Sequence, residues 1–318
     1  MSYFEDKKVI VTGGAGFLGN AVCERLKQAG AGHVFVPRSS QYDLTEQAAV
    51  RRLFNDHKTD VVIHLAADVG GIGANQKHPG QFFYANMAMG LNMVEASRSA
   101  RVQKFVHIGT VCSYPKHSPT PFREANIWDG FPEETNAPYG VAKRALGLML
   151  AAYKQEYNFP GVYLIPVNLY GPGDNFDLET SHVIPALIRK FSDAAERGVG
   201  QVTCWGTGQA SREFLYVDDA ADAIVTAVMQ YDDVAPMNIG TGQEVRIADL
   251  ASKIAALCNF KGEIVWDSDR PDGQPRRCLD VSRAAEKMNW RAMVDLDEGL
   301  HRTVEWWKRN ADTAAAAV

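Results

Sequence analysis

Apolar runs of strand length alternate with helix-length amphipathic stretches through the first half of the chain. The runs fall at 9–11, 34–36, 61–65, 104–108 and 162–166. Each is apolar at consecutive positions rather than at every second one, which marks strands buried on both faces. Strands of this kind separated by helices predict an α/β fold, a doubly wound parallel sheet of the Rossmann type. After Tyr170-Gly171-Pro172 the alternation stops, and proline, glycine and polar residues become frequent. This change predicts a smaller α/β substrate-binding lobe built from 172–212 and about 240–318. The nucleotide-binding domain would then cover 1–171 and be rejoined by about 213–239, where Glu213 to Asp219 precedes an Ala/Val-rich helix.

The first strand runs into Gly13-Gly14-Ala15-Gly16-Phe17-Leu18-Gly19, with a helix expected over 20–29. Glycines spaced as Gly13, Gly16 and Gly19 let the backbone turn tightly against a pyrophosphate, whose charge is favoured by the amides and dipole of the helix start. The second strand carries the cofactor signal. NAD binders usually close it with a carboxylate for the ribose, whereas a nearby arginine accommodates a 2'-phosphate. Here Arg38-Ser39-Ser40 follows, with no acid before Asp43, so NADP(H) is favoured. Asp43 and Leu44 would lie near the adenine.

A second periodic feature is the helix starting near Tyr139. Leu146, Leu148, Met149, Leu150 and Tyr153 make it apolar almost all round, as expected for burial on two sides. One side would face the sheet; the other would face either a partner subunit, giving a homodimer, or the interior of the same chain. Its first turns hold Tyr139-x-x-x-Lys143, a pair on one helix face in which the ammonium would lower a phenol pKa that starts near ~10. Two positions separate Thr110 from Cys112 near the end of the fourth strand, and period-two alternation would place both on one face.

Composition narrows the function classes. The 318 residues exceed the size at which one core stops growing, and an apolar share of 46% is enough for a core and a lobe. A net charge of -5 argues against nucleic acid or an acidic membrane surface as partner. Five cysteines show no Cys-x-x-Cys pair and no zinc-like spacing with histidine, so no metal is expected. Their odd number, with no apolar leader in the opening residues, fits a reducing cytoplasm. No apolar run reaches membrane-spanning length. The alanine-rich stretch 311–318 reads as a frayed end.

The glycine turn, Thr110, Tyr139 and Lys143 together resemble the extended short-chain dehydrogenase/reductases that act on nucleotide sugars. More specific strings resemble the GDP-L-fucose synthase family within it. These are Ala66-Ala67-Asp68-Val69-Gly70-Gly71-Ile72, Cys112-Ser113-Tyr114-Pro115-Lys116, Asn168-Leu169-Tyr170-Gly171-Pro172, Ser181-His182-Val183-Ile184-Pro185, and Trp205-Gly206 with Arg212-Glu213-Phe214-Leu215. The resemblance implies NADPH-dependent 3,5-epimerisation and 4-keto reduction of a GDP-4-keto-6-deoxy sugar. Tyr139, Lys143 and Thr110 would serve the reduction, and Cys112 and His182 would exchange protons on opposite faces of the sugar.

By the same resemblance Phe17, Leu18, Ala66, Pro166, Asn168, Leu169 and His182 join the glycines at the cofactor. Asn168, Lys190, Trp205, Arg212, Asp272 and Arg277 would hold the nucleotide-diphosphate sugar. Two positions depart from the family's usual pattern: Thr110 where serine is common, and Lys190 where arginine is frequent. Other readings are an epimerase without net reduction, a 4-reductase without epimerisation, and a cofactor-sensing binding protein.

Overall fold

The computed structural model describes residues 3–270 and 272–316. In chain order come β1 (Lys8–Thr12), α1 (Phe17–Gln28), β2 (His33–Phe35), α2 (Gln47–Asp56), β3 (Val61–His64), α3 (Ile72–Lys77), α4 (Pro79–Ser99) and β4 (Lys104–Ile108). Two 3-10 turns, Val111–Ser113 and Glu124–Trp128, precede α5 (Ala137–Tyr157), β5 (Gly161–Pro166) and β6 (Asn168–Tyr170). Then follow α6 (Val183–Arg197), β7 (Gln201–Trp205), β8 (Ser211–Tyr216), α7 (Val217–Gln230) and β9 (Met237–Ile239). The remainder is β10 (Glu244–Arg246), α8 (Ile247–Leu257), β11 (Glu263–Asp267), β12 (Arg276–Arg277), α9 (Ser282–Met288) and α10 (Leu296–Ala316).

Six strands form one parallel sheet in the order β2-β1-β3-β4-β5-β9. The consecutive apolar positions are explained by helices on both faces: Val61, Val62, Ile63, Phe105 and Val106 are fully buried. Burial of a side chain of that size contributes roughly 1.5–3 kcal/mol, so these central strands anchor the layer. The chain leaves β1 in one direction for β2 and in the other for β3. A crevice therefore opens beyond the carboxyl ends of β1 and β3, where such sheets bind ligands. Gly13 closes β1 with φ +69°, and a Cβ there would stand 2.8 Å from the Ala66 nitrogen that follows β3.

Helix α1 starts at Phe17, earlier than the pattern predicted. Gly19 therefore lies inside it, where a side chain would come within 2.1 Å of the Gly13 carbonyl. Helix propensity disfavours glycine, but contact between helix and turn requires it.

Helix α5 is apolar on two sides, and both find partners within the chain. Gly147 packs on the Tyr163 ring of β5, and Leu146 fills the space over Gly90 of α4. Leu148 stays 57% exposed, as do Tyr84 (63%) and Leu91 of α4. Apolar residues thus stay exposed on the outer face of the α4/α5 pair.

Strand β8 links the main layer to a second one. Its first half pairs with β10 and β12, and its second half with β6. The main layer is rejoined by α7 and β9. A separate hydrophobic core gathers Tyr170, Ile188, Phe191, Leu250, Leu300 and Trp307, while β7 and β11 form a two-stranded parallel pair beside it. Leu279, Met288 and Trp290 pack into the first core instead. The stretch expected to fray is helical through Ala316, and residues 317–318 lie outside the described residues.

Candidate active site

A cavity of about 950 Å³ runs from the glycine turn to the second layer. All the residues singled out in the sequence border it: Gly13, Gly16, Phe17, Leu18, Gly19, Arg38, Asp43, Leu44 and Ala66 at one end, and Lys190, Trp205, Arg212, Asp272 and Arg277 at the other. Between them lie Thr110, Cys112, Tyr139, Lys143, Pro166, Asn168, Leu169 and His182.

At the nucleotide end, Gly16 caps α1 and leaves the first amides of the helix without carbonyl partners within it, the arrangement that holds phosphate. Arg38 is exposed at the rim and has no carboxylate within ion-pair distance among the described residues. Asp43 is already committed: one oxygen accepts from the Thr45 amide at 2.9 Å and hydroxyl at 2.7 Å, and these bonds lower its pKa.

The middle of the cavity differs from the sequence expectation in two respects. Strand β4 ends at Ile108, and Cys112 belongs to the following 3-10 turn. Thr110 caps that turn, its hydroxyl oxygen accepting from the Cys112 amide at 3.2 Å. A capping geometry, not strand alternation, brings the two residues to the cavity, and it leaves the Thr110 proton free to be donated. The turn abuts α5 at Gly140, where a Cβ would lie 2.3 Å from the Cys112 carbonyl, and Ser113 donates to the Gly140 carbonyl at 2.9 Å. Arg144 seals the outer side by donating to the carbonyls of Ile127 (2.6 Å) and Gly130 (3.1 Å).

The second difference concerns protons. Burial raises the Tyr139 phenol above its usual range, with the nearby Cys112 and Tyr163 adding to the effect. Lys143, only 2% exposed, is lowered to about 8 by desolvation. The pair does not yield an acidified phenol. Tyr139 is instead a firmly protonated donor beside an ammonium that titrates near neutrality. His182 caps α6 and stands open to the cavity, yet the enclosing walls lower its pKa by desolvation.

At the far end, Arg212 donates to the Ser211 carbonyl at 2.7 Å and the Asp272 carbonyl at 2.8 Å. Burial, and then Arg277, lowers its pKa to about 10. Two guanidinium groups in one row suit a diphosphate. Both Asp272 carboxylate oxygens are occupied by Thr207, so this residue shapes the turn after Trp205. Lys190 lines the cavity and donates to the Thr203 carbonyl at 3.2 Å, whereas Arg189 reaches away to Phe176. Trp205 is half exposed, with Arg270 over its ring at 4.9 Å.

Among the lining residues that escaped the sequence reading are Asn136, Tyr42 and the buried Gln274. Tyr42, four residues after Arg38, carried a readable signal as an aromatic beside the adenine end. No spacing marks Gln274. Among the described residues no acidic, histidine or cysteine cluster could hold a metal, and no helix is long and apolar enough to cross a membrane.

A parallel sheet with a glycine turn at its switch point, facing a Thr/Tyr/Lys centre, defines a nucleotide-dependent oxidoreductase or epimerase. The chain belongs to the NAD dependent epimerase/dehydratase family, whose model matches residues 9–240. Within it, "Probable GDP-L-fucose synthase 1" of Oryza sativa subsp. japonica is 40% identical over 316 residues, covering 98% of this chain and 96% of that protein. The structure of a GDP-L-fucose synthetase from Naegleria fowleri bound to NADP aligns with TM-score 0.90 at 27% identity, covering 98% and 97% of the two chains. A GDP-6-OMe-4-keto-L-xylo-heptose reductase from C. jejuni aligns with TM-score 0.92 at 27% identity, covering 98% and 100%.

Proposed function

We propose that the protein is an NADPH-dependent enzyme that epimerises carbons 3 and 5 and reduces the 4-ketone of a GDP-4-keto-6-deoxy sugar, giving GDP-L-fucose or a close relative. The observation that carries this reading is the meeting of Cys112 and His182 in the same cavity as Thr110, Tyr139 and Lys143. A reductase alone needs only the last three. Inverting a carbon requires one group to remove a proton and a second to return it from the opposite face.

The cofactor fits the residues present: glycines that let backbone approach a pyrophosphate at a helix start, and Arg38 without an acidic partner for a 2'-phosphate. When bound, it supplies the hydride to carbon 4. In the epimerising steps, the Cys112 sulfur takes a proton from carbon 3 or 5. An S–H bond forms as the C–H bond breaks, and the electron pair moves onto the 4-keto oxygen, where the Thr110 hydroxyl can donate. His182, as its imidazolium, gives a proton to the opposite face; desolvation lowers its pKa and so disfavours that charged form in the resting site. In the reducing step Tyr139 gives its phenolic proton to the oxygen at carbon 4. Lys143 offsets the negative charge left on the phenolate. Arg212, Arg277 and Lys190 bind the diphosphate, and Trp205 supplies a flat surface. All five cysteines are free thiols, which suits a reducing cytoplasm. We also assign the exposed α4/α5 face to a homodimer.

Incubation with GDP-4-keto-6-deoxy-mannose and NADPH in deuterated water tests the reading. Consumption of NADPH with deuterium at carbons 3 and 5 is expected, and Cys112→Ser should abolish the deuterium while cofactor binding persists. A second reading, reduction without epimerisation, draws on the likeness to the heptose reductase. It predicts consumption with no deuterium. Exchange without net consumption would mark an epimerase, and binding without either a sensor.

A further inference from the structure

Cys112 does not stand alone at the cavity wall. The Arg277 guanidinium donates from Nη1 to its sulfur at 3.6 Å, and from Nε to the Gln274 side-chain oxygen at 3.3 Å. Gln274 in turn donates from Nε2 to the Lys116 carbonyl at 2.8 Å. Lys116 lies four residues after Cys112 in the same segment. The contacts therefore close a ring: Cys112, the backbone to Lys116, Gln274, Arg277, and back to the sulfur. Gln274 and Arg277 are both buried, at 4% and 7% exposure. A buried amide held at its donor and its acceptor end has one orientation, so it fixes the plane of the guanidinium it touches.

We propose that Gln274 is a positioning residue for the epimerisation base, aiming Arg277 at the Cys112 sulfur so that the guanidinium stabilises the thiolate that removes the proton. The proposal rests on the epimerase reading above. It also gives Arg277 a role besides phosphate binding: two of its five N–H groups are spent on Gln274 and Cys112, and the rest remain for the substrate. Arg212 and Tyr139 also interact electrostatically with Cys112. Neither bonds to Gln274.

The test reads the free enzyme, without substrate or cofactor. The rate of Cys112 alkylation by iodoacetamide is followed at pH 7 by mass spectrometry of its peptide. Less thiolate means slower alkylation, partly offset by the greater nucleophilicity of the more basic sulfur. Gln274→Leu should slow the reaction by about threefold, and Arg277→Gln by more. Added to Arg277→Gln, the Gln274→Leu change should have no further effect, because the amide acts through the guanidinium. An unchanged rate in Gln274→Leu, or the same slowing in both backgrounds, overturns the proposal. Circular dichroism of each variant separates misfolding from the effect sought. A positive alkylation result without deuterium exchange would retain the ring and reject the epimerase reading.

Discussion

At the scale of the residue, the proposed reduction makes Lys143 the group that sets the response to pH. Desolvation lowers it to about 8, so its positive charge is complete well below that value and is lost as pH rises through it. Tyr139 stays protonated across the same range because burial raises it. Reduction should therefore weaken above about pH 8 through loss of the Lys143 charge, with kcat falling about tenfold per pH unit once the neutral amine dominates. Lys143→Arg should move that fall to higher pH, since a guanidinium does not deprotonate in this range. A wild-type profile flat to pH 9.5 would remove Lys143 from this role. The spacing of Tyr139 and Lys143 was readable because helix geometry is local. The direction of the phenol shift was not, because burial comes from strands and loops distant in sequence.

Among the elements, the contact between the Cys112 turn and α5 controls the site most directly. The pattern placed Cys112 on a strand because apolar residues lead up to it. The Thr110 hydroxyl bonding the Cys112 amide, with the Ser113 amide donating to the Thr110 carbonyl at 3.0 Å, shows that the chain has turned. Gly140 permits the approach. A methyl group 2.3 Å from the Cys112 carbonyl must push the turn from the helix, so Gly140→Ala is expected to cost ~1–3 kcal/mol by overpacking. Deuterium exchange should suffer more than NADPH affinity, since the glycine turn lies elsewhere. A urea midpoint and exchange rate both equal to wild type would show that the turn relaxes freely. The start of α1 offers the same lesson: propensity read glycines as turn, while packing required one of them within the helix.

For the whole molecule, the parallel layer was legible because its strands are buried on both faces and read as largely apolar runs, interrupted at His64, Lys104 and His107. The second layer was not, since β6, β10 and β12 are only two or three residues long and pair across wide separations. Gln274 was hidden for a related reason: the carbonyl that orients it belongs to Lys116, far away in sequence. The remaining apolar surface on α4 and α5 predicts the assembly. Leu91→Glu combined with Leu148→Glu should turn a dimer into a monomer in sedimentation, with NADPH binding retained. A wild-type monomer at micromolar concentration would discard the interface.

Strand β8 is a ruler shared by the two ends of the cavity. Asn168 stands opposite Phe214, and Arg277 stands opposite Arg212, two positions earlier on the same strand. A strand advances about 3.3 Å per residue, so the register offsets the backbone of Asn168 from that of Arg277 by roughly 7 Å along β8. The Glu213 carboxylate locks the same strand to the amides of Gly242 and Leu279 at 2.8 and 2.6 Å. A sugar longer by one carbon cannot be accommodated by sliding the anchor. On the proposed reading it must find its room sideways, against the residues that wall the ring.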